Sequence, residues 1–129
     1  MNNIFLQIAF NHTFGDFQRL IGLIPRDDRI IIEAGTPLIK REGIGVIRKM
    51  RFYWPGRICA DAKTIDGAEA EVRMAKEAGA TSITASGASS HESLKIFIES
   101  CKRYQIESII DMLGIQNPMK VLWKSNVVI

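Results

Sequence analysis

The sequence predicts an α/β protein built around a parallel β-sheet. Short runs rich in β-branched and aromatic residues alternate along the chain with helical segments of about 10–15 residues. One of these runs, RIIIEAG at residues 29–35, contains three consecutive isoleucines, which indicates burial on both faces of a parallel sheet. Because parallel strands need a crossover between them, the alternation indicates repeated right-handed βα units.

Five segments are predicted as strands, and the last residues of the chain are a candidate sixth. In chain order they are IFLQIAF (4–10), RIIIEAG (29–35), RICADAK (57–63), TSITASG (81–87), IESIIDMLG (106–114) and the candidate NVVI (126–129). Each predicted strand except the last is followed by a stretch with helical character, so the chain contains about five βα units.

Helix signals account for the segments between the first three strands. Asp16 is a candidate cap for a short helix, FQRLIGLI, that ends before Pro25. Thr36 and Pro37 form an N-cap and N1 pair for the next helix, which runs towards residue 50. We expect that helix to break near Gly43 and Gly45.

The remaining helices have their own start and stop signals. The segment GAEAEVRMAKEAGA is rich in Ala, Glu and Lys and predicts a helix that ends at Gly79. Ser89 stands three residues before Glu92, which is the spacing of a capping box for the following helix. After the fifth strand, NPMKVLWKS allows barely two helical turns.

The length of the chain leaves two architectures open. The repeat of about 25 residues is close to that of a (β/α)₈ barrel, which usually needs about 200 residues or more. With 129 residues, the chain has room for about five units and a sixth strand. The predicted fold is therefore either an open doubly wound sheet or an incomplete parallel barrel, in one domain spanning residues 1–129.

The composition gives little information about the binding partners of the protein. The chain is 47% hydrophobic and 24% charged, as in soluble globular proteins, and its net charge of +3 suits anionic small molecules as well as nucleic acid. Five basic residues lie in one helical segment with apolar residues between them, namely Lys40, Arg41, Arg48, Lys49 and Arg51. This spacing favours a solvated helix face, so we expect no nucleic-acid partner.

The cysteines and the hydropathy of the sequence predict a cytoplasmic location for the protein. Cys59 and Cys101 lie in apolar segments without a CxxC partner, which predicts buried, reduced thiols. No apolar run approaches the length of about 18 residues needed to span a membrane. The N-terminus, MNNIFLQIAF, lacks the basic start and cleavage site of a signal peptide. We therefore expect a cytoplasmic protein without a membrane partner.

Charged residues gather where three predicted strands end. Glu33, Asp61 and Asp111 follow apolar runs, and Lys63 shares a strand face with Asp61 because the two are two residues apart. Asp66 lies just beyond the strand, where it would reach sideways or cap the next helix. Converging carboxylates of this kind suit Mg²⁺, and a neighbouring lysine suits an enediolate oxygen. The alternative is an ion-paired cluster that only closes the end of the sheet.

Other candidates carry weaker signals. His12 follows the first strand and His91 lies in the first turn of a helix, where a lone histidine is usually solvated. The segment ASGASS places Gly87 and small side chains at the end of the fourth strand, which would admit a ligand or phosphate near the following helix N-terminus. The same segment is equally consistent with an ordinary loop.

Several motifs, in order, resemble one enzyme family. ADAKTIDGAEAEV resembles the Asp-x-Lys-x-x-Asp motif of the orotidine 5′-monophosphate decarboxylase superfamily. IEAGTPLIKREG, ADAKTIDG, ITASGASS and IIDMLGIQNP are similar, in order and spacing, to the 3-hexulose-6-phosphate synthase family within it. The resemblance implies a (β/α)₈-type barrel, a homodimer with active sites at the interface, and a reversible Mg²⁺-dependent aldol reaction between formaldehyde and ribulose 5-phosphate.

The resemblance also implies roles for individual residues. Glu33 and Asp61 would be the metal-site carboxylates, and Lys63 would contact the enediolate. Asp66, a third catalytic candidate beside Lys63 and Asp61, would reach into the partner's site. The residues expected to contact the phosphorylated sugar are Asn11, Asp111 and Gly87.

The sequence departs from the family in two places. The first strand motif of the family ends in aspartate, whereas LQIAFN ends in Asn11, an amide that keeps one acceptor but loses the charge. The chain also ends at Ile129, before the seventh and eighth strands whose loops bind phosphate in many barrels.

Four functions follow from these observations. The leading one is a synthase-like aldehyde-lyase that has the metal half of the site and lacks the phosphate half. A second is a non-catalytic remnant that keeps the family's dimerisation surface, because an incomplete barrel exposes sheet edges. A third is a phosphosugar decarboxylase of the same superfamily. The fourth is a flavodoxin-like nucleotide module. It is disfavoured because the sequence has no phosphate-binding glycine motif after the first strand.

Overall fold

Five parallel strands form one sheet in the computed structural model, which describes residues 4–124. The strands are β1 (Leu6–Phe10), β2 (Ile30–Ala34), β3 (Arg57–Thr64), β4 (Ser82–Ser86) and β5 (Glu107–Asp111). All five correspond to predicted strands; β3 extends one residue beyond its predicted segment, and the other four are shorter than theirs. The candidate sixth strand, NVVI, lies outside the described residues.

The strand order distinguishes between the two predicted architectures. The sheet runs β1-β2-β3-β4-β5, and every neighbouring pair is parallel. A doubly wound sheet reverses its strand order at a switch point, which this sheet does not do. The described part of the chain is therefore the singly wound arrangement of a (β/α) barrel, with β1 and β5 at its two ends and the barrel incomplete.

Six helices follow the strands. They are α1 (Phe14–Ile21), α2 (Thr36–Glu42), α3 (Val46–Arg51), α4 (Ala68–Ala78), α5 (His91–Tyr104) and α6 (Pro118–Lys124). The predicted break near Gly43 and Gly45 is confirmed, because α2 ends there and α3 begins at Val46. Gly43 has φ +77°, a left-handed conformation that glycine adopts without strain and that stops the helix.

Three predicted helix caps were misplaced, and two of them belong to α1 and α5. The N-cap of α1 is Thr13, whose hydroxyl accepts a hydrogen bond from the Asp16 amide at 3.1 Å, while the Asp16 carboxylate accepts one from the Thr13 amide at 3.2 Å. Asp16 is therefore the third helical residue of a capping box. In α5 the N-cap is Ser90, bonded to the Ser93 amide, and not Ser89.

One face of the sheet packs against the helices and forms the core. Ile32, Ile58 and Ile83 from the three central strands are fully buried, and they join a cluster that includes Val72 of α4 and Phe97 of α5. Since side chains alternate along a strand, the residues beside these isoleucines point to the opposite face. That face carries Glu33 of β2, Asp61 of β3 and Thr84 of β4.

The surface carries the basic residues that the sequence places on a solvated helix face. Lys40, Arg41, Arg48 and Lys49 are exposed. Arg51 differs, because its guanidinium donates to the main-chain oxygens of Trp54, Pro55, Gly56 and Gly79. Within residues 4–124, no helix has both the length and the apolar character needed to cross a membrane.

Both cysteines are free and buried, which leads to a prediction about their reactivity. Burial raises the pKa of the Cys59 thiol to about 11 and that of Cys101 to about 12. Because the thiolate is the reactive form, we expect neither thiol of the native protein to react with Ellman's reagent near a pH of about 8. Unfolding in guanidinium chloride should expose both, and rapid stoichiometric reaction of the native protein would contradict this account.

Candidate functional site

A cavity of about 530 Å³ opens at the carboxyl ends of the strands. Its polar lining comes from all five strands and consists of Gln7, Glu33, Asp61, Lys63, Thr84 and Asp111. Ligands of parallel α/β sheets bind at this edge. The structure therefore brings the three predicted strand-end carboxylates and the predicted lysine to one cavity.

Lys63 lies between two carboxylates of this cavity. Its Nζ is 3.2 Å from Oδ2 of Asp61 on its own strand, and it also donates to Oδ2 of Asp111 on β5. The Lys63 side chain is 36% exposed, so the ammonium group remains accessible to a ligand in the cavity.

The two ends of the Lys63–Asp111 pair stabilise each other's charge. The hydrogen bond to Asp111, followed by that to Asp61, raises the pKa of Lys63 above its ordinary value. The same bond from Lys63, together with the Leu113 amide, lowers the pKa of Asp111. At neutral pH, Lys63 is therefore a cation that stabilises negative charge, and it is not a proton acceptor.

Glu33 is a carboxylate of this cavity whose surroundings disfavour the charged form. Burial raises its pKa above the ordinary value, the nearby charge of Asp61 raises it further, and the bond from Gln7 Nε2 to Oε2, 2.5 Å long, acts in the opposite direction. A cation placed beside Glu33 and Asp61 would relieve the repulsion between them.

Glu33 and Asp61 are the residues of this cavity that could hold a magnesium ion. Mg²⁺ takes oxygen ligands, keeps several waters and is usually held by one or two carboxylates plus substrate oxygens. The described residues contain no group of three or more His, Cys, Asp or Glu side chains arranged to hold a metal. Two carboxylates alone, Glu33 and Asp61, would leave the remaining ligand positions of such a cation to water and substrate oxygens.

Two threonines fix the carboxylate of Asp61. Helix α2 begins at Thr36 with Gly35 as its N-cap, so Thr36 is not the cap that the sequence predicted. Its hydroxyl lies 2.8 Å from both the main-chain oxygen and Oδ2 of Asp61. Thr84 of β4 donates to the other oxygen, Oδ1, at 2.8 Å. Asp61 is thereby bound to elements on both sides of its strand.

The main chain at Lys63 has an unusual conformation. Its φ is +47°, and the pairing of β3 with β4 shifts register between Ala60 and Thr64. A left-handed conformation costs a residue with a Cβ about 1–2 kcal/mol. The Lys63 amide donates to Oγ1 of Thr84 at 2.9 Å, so that hydroxyl takes the place of a main-chain acceptor. Such local irregularities are common beside active sites.

Asp66 lies outside the cavity. It is exposed, and its Oδ1 accepts a hydrogen bond from the Gly67 amide at 2.8 Å. The N-cap position of α4 is Gly67, so Asp66 does not occupy the cap position that the sequence left open as an alternative.

Asn11 and Gly87 lie at the ends of their strands, and neither lines the cavity described above. Asn11 lies against Gly35, where a Cβ would be only 1.8 Å from Oδ1 of Asn11, and together with His12 it borders a separate cavity of about 330 Å³. Gly87 is buried, and its amide donates to the main-chain oxygen of Asp111 at 2.8 Å. A Cβ at Gly87 would lie 2.9 Å from that oxygen, so glycine permits this close approach.

Three residues of the site were missed by sequence reasoning, namely Gln7, Thr36 and Thr84. The signal available for Thr84 was a polar residue inside the buried strand SITAS. For Gln7, the available signal was its position two residues before Ala9, which places both residues on the same face of the first strand. Thr36 gave no signal beyond its value as a helix cap.

The chain matches a known family over most of its length. The model of the family described as Orotidine 5′-phosphate decarboxylase / HUMPS family matches residues 5–124.

Curated relatives share about 40% of the residues. The chain is 38% identical over 120 residues to the Bifunctional enzyme Fae/Hps of Methanothrix thermoacetophila, covering 92% of this chain and 31% of that protein. It is 41% identical over 118 residues to the protein of the same name from Methanocaldococcus jannaschii, covering 91% of this chain and 31% of the relative. The chain thus spans about a third of the length of these relatives.

Solved structures share the fold. A structure of 3-hexulose-6-phosphate synthase superposes with a TM-score of 0.86 at 28% identity, covering 95% of this chain and 60% of that one. The synthase from Salmonella typhimurium gives 0.87 at 26% identity, covering 96% and 61%. A 3-keto-L-gulonate-6-phosphate decarboxylase from Vibrio cholerae gives 0.85 at 26% identity, covering 95% and 57%.

The ion pair of Lys63 leads to a prediction about its titration. Replacing Asp111 by Asn removes the largest cause that raises the pKa of Lys63, so we expect that pKa to fall. The measurement is an NMR titration of the lysine side chains between a pH of about 8 and about 12. The matched control is Asp66→Asn, because Asp66 is exposed and bonds to the Gly67 amide. An unchanged pKa of Lys63 in Asp111→Asn would show that the pair does not form.

Proposed function

The chain belongs to the Orotidine 5′-phosphate decarboxylase / HUMPS family, and we propose that it acts as an aldehyde-lyase of the 3-hexulose-6-phosphate synthase type. The observation that carries the proposal is the position of Lys63, which lies between Asp61 and Asp111 in the strand-end cavity that also contains Glu33. The two synthase structures, with TM-scores of 0.86 and 0.87, support a scaffold of the type on which this reaction takes place.

The proposed reaction joins formaldehyde to ribulose 5-phosphate. In a 3-hexulose 6-phosphate the carbonyl is at the third carbon, whereas in ribulose 5-phosphate it is at the second. The new carbon is therefore added at C1 of ribulose 5-phosphate. C1 loses a proton to give an enediolate, whose carbon attacks the formaldehyde carbon, and the resulting alkoxide takes up a proton. The reverse reaction cleaves the same bond.

Lys63 is the residue that stabilises the enediolate. Because the hydrogen bond to Asp111 raises its pKa, Lys63 stays protonated at neutral pH and offers a fixed positive charge to a developing oxyanion. Its ammonium group is already oriented by two carboxylates before the substrate arrives. Little reorganisation is then needed when charge develops, which is the condition for effective electrostatic catalysis.

Glu33 and Asp61 would hold the Mg²⁺ of the proposed reaction. A bound Mg²⁺ supplies Lewis-acid stabilisation of negative charge on substrate oxygens. The contribution of the chain is to hold the two carboxylates in place, Glu33 through Gln7 and Asp61 through Thr36 and Thr84.

The remaining roles follow from the same proposal. Asn11, Asp111 and Gly87 contact the phosphorylated sugar at the strand ends. Asp66, which is exposed and lies outside the cavity, acts across the interface of a homodimer. The reaction takes place in the cytoplasm. These roles are supported by the family membership of the chain and by the position of each residue at the carboxyl-terminal edge of the sheet.

The metal assignment can be tested by direct binding. We expect Mn²⁺, used as a paramagnetic probe for Mg²⁺, to bind the wild-type chain and to bind Glu33→Gln and Asp61→Asn more weakly by about tenfold or more. The measurement is the free Mn²⁺ signal in electron paramagnetic resonance. The matched control is Glu99→Gln, which removes a carboxylate of α5 outside the cavity. Unchanged affinity in both site variants would remove the metal assignment.

The reaction itself can be tested by formaldehyde consumption in the presence of ribulose 5-phosphate and Mg²⁺. We expect EDTA to abolish turnover and Lys63→Ala to lower kcat by about 100-fold or more, because a preorganised charge is lost. Lys95→Ala, an exposed lysine on α5, is the control and should retain activity.

Two other results would contradict the proposed reaction. A folded, Mn²⁺-binding protein that consumes no formaldehyde would not be a synthase. Release of carbon dioxide from 3-keto-L-gulonate 6-phosphate in its place would identify a decarboxylase built on the same site.

A further inference from the structure

Thr84, in the strand-end cavity, makes two hydrogen bonds to β3 through its one hydroxyl group. It lies on β4 and is only 5% exposed, with its hydroxyl between two groups of β3. The hydroxyl accepts a hydrogen bond from the Lys63 amide at 2.9 Å and donates one to Oδ1 of Asp61 at 2.8 Å. A threonine hydroxyl has one proton to donate and lone pairs to accept, so both bonds form at once.

The hydroxyl of Thr84 lies where the regular pairing of β3 with β4 is interrupted. The β3–β4 register shifts between Ala60 and Thr64, and Lys63 within that stretch has φ +47°. A buried amide without an acceptor is costly, so the main chain at Lys63 needs a partner from outside the regular ladder. Thr84 provides that partner and, through the same oxygen, contacts the carboxylate of Asp61.

Thr81, the residue immediately before β4, provides a structural comparison. Its hydroxyl accepts from the Ile58 amide and donates to the Ile58 oxygen, both at 3.0 Å. Thr81 and Thr84 therefore each bridge to β3 with one accepted and one donated hydrogen bond. The difference is that Thr81 bonds only to the main chain, whereas Thr84 donates to a side chain of the site.

We propose that Thr84 is a positioning residue of this site, which fixes the carboxylate of Asp61 and the main chain of Lys63 relative to each other through one hydroxyl oxygen. The inference rests on the proposed function, because the two groups it joins are the proposed cation ligand and the proposed enediolate contact. Thr84 itself touches neither substrate nor metal in this scheme. It acts by holding two groups at a fixed separation.

The test uses three variants of the full chain. Thr84→Val keeps the shape of the side chain and loses the hydroxyl, and Thr84→Ser restores the hydroxyl. Thr81→Val removes the matched hydroxyl just before β4. Two quantities are measured in each variant. The first is hydrogen exchange of the Lys63 and Ile58 amides by NMR, without metal or substrate. The second is the dissociation constant of Mn²⁺.

We expect the Lys63 amide to exchange at least about fivefold faster in Thr84→Val than in the wild type, and at close to the wild-type rate in Thr84→Ser. In Thr81→Val the Ile58 amide should exchange faster while the Lys63 amide is unchanged. The Mn²⁺ affinity should fall by about tenfold in Thr84→Val only, as is typical when the partner of a metal ligand is removed.

The outcomes separate this inference from the proposed function. Unchanged Lys63 exchange in a folded Thr84→Val variant would overturn the positioning role, and so would an equal loss of Mn²⁺ affinity in Thr81→Val. If the wild-type chain binds no Mn²⁺, the metal assignment of the proposed function fails. The Lys63 exchange rates, measured without metal, still decide whether Thr84 joins the two groups.

Discussion

The carboxylate of Asp61 connects three successive βα units at the end of the sheet. It accepts from Thr36 at the start of α2 and from Thr84 on β4, and it lies beside the ammonium group of Lys63 on its own strand. With its side chain only 14% exposed, such a carboxylate would be costly to leave without partners. The arrangement of the whole cavity therefore depends on this one group being satisfied from α2 on one side and β4 on the other.

The face of the sheet that lines the cavity also contributes more acidic than basic side chains to it. Glu33, Asp61 and Asp111 face the cavity together with one cation, Lys63. Lys63 compensates Asp61 and Asp111 by direct contact, whereas Glu33 depends on the neutral amide of Gln7. Barrel interiors are usually filled by branched apolar side chains. A polar and acidic lining of this kind is destabilising unless its charges are paired or hydrogen-bonded.

Local patterns in the sequence were sufficient for the element types and for most of the site. Alternation of apolar runs and helices predicted all five described strands, and strand-end carboxylates predicted the convergence of Glu33, Asp61 and Asp111. Local patterns left open the choice between a doubly wound sheet and a barrel, because strand order depends on which edge each new unit joins and leaves no local pattern. The family resemblance predicted the incomplete barrel, and the strand order confirms it. The sequence also placed Asn11 and Gly87 in the site, but in the structure they lie beside the cavity.

Hydroxyl groups account for two of the three site residues that the sequence did not predict. Thr36 was assigned as a helix cap because threonine is favoured there, yet the cap is Gly35 and the hydroxyl of Thr36 bonds to Asp61. Thr84 belongs to a buried strand in which threonine is common for its shape. In both cases the decisive partner lies more than twenty residues away, so only the folded arrangement reveals it.

The most direct test of the account is whether the chain forms the enediolate of ribulose 5-phosphate. In deuterium oxide with Mg²⁺ and without formaldehyde, proton NMR would follow the loss of the C1 proton signal. The account predicts exchange at C1 that requires the protein, stops on addition of EDTA and is lost in Lys63→Ala. A folded wild-type chain that binds Mn²⁺ and leaves the C1 protons unexchanged would contradict the assignment of this cavity as an enediolate site.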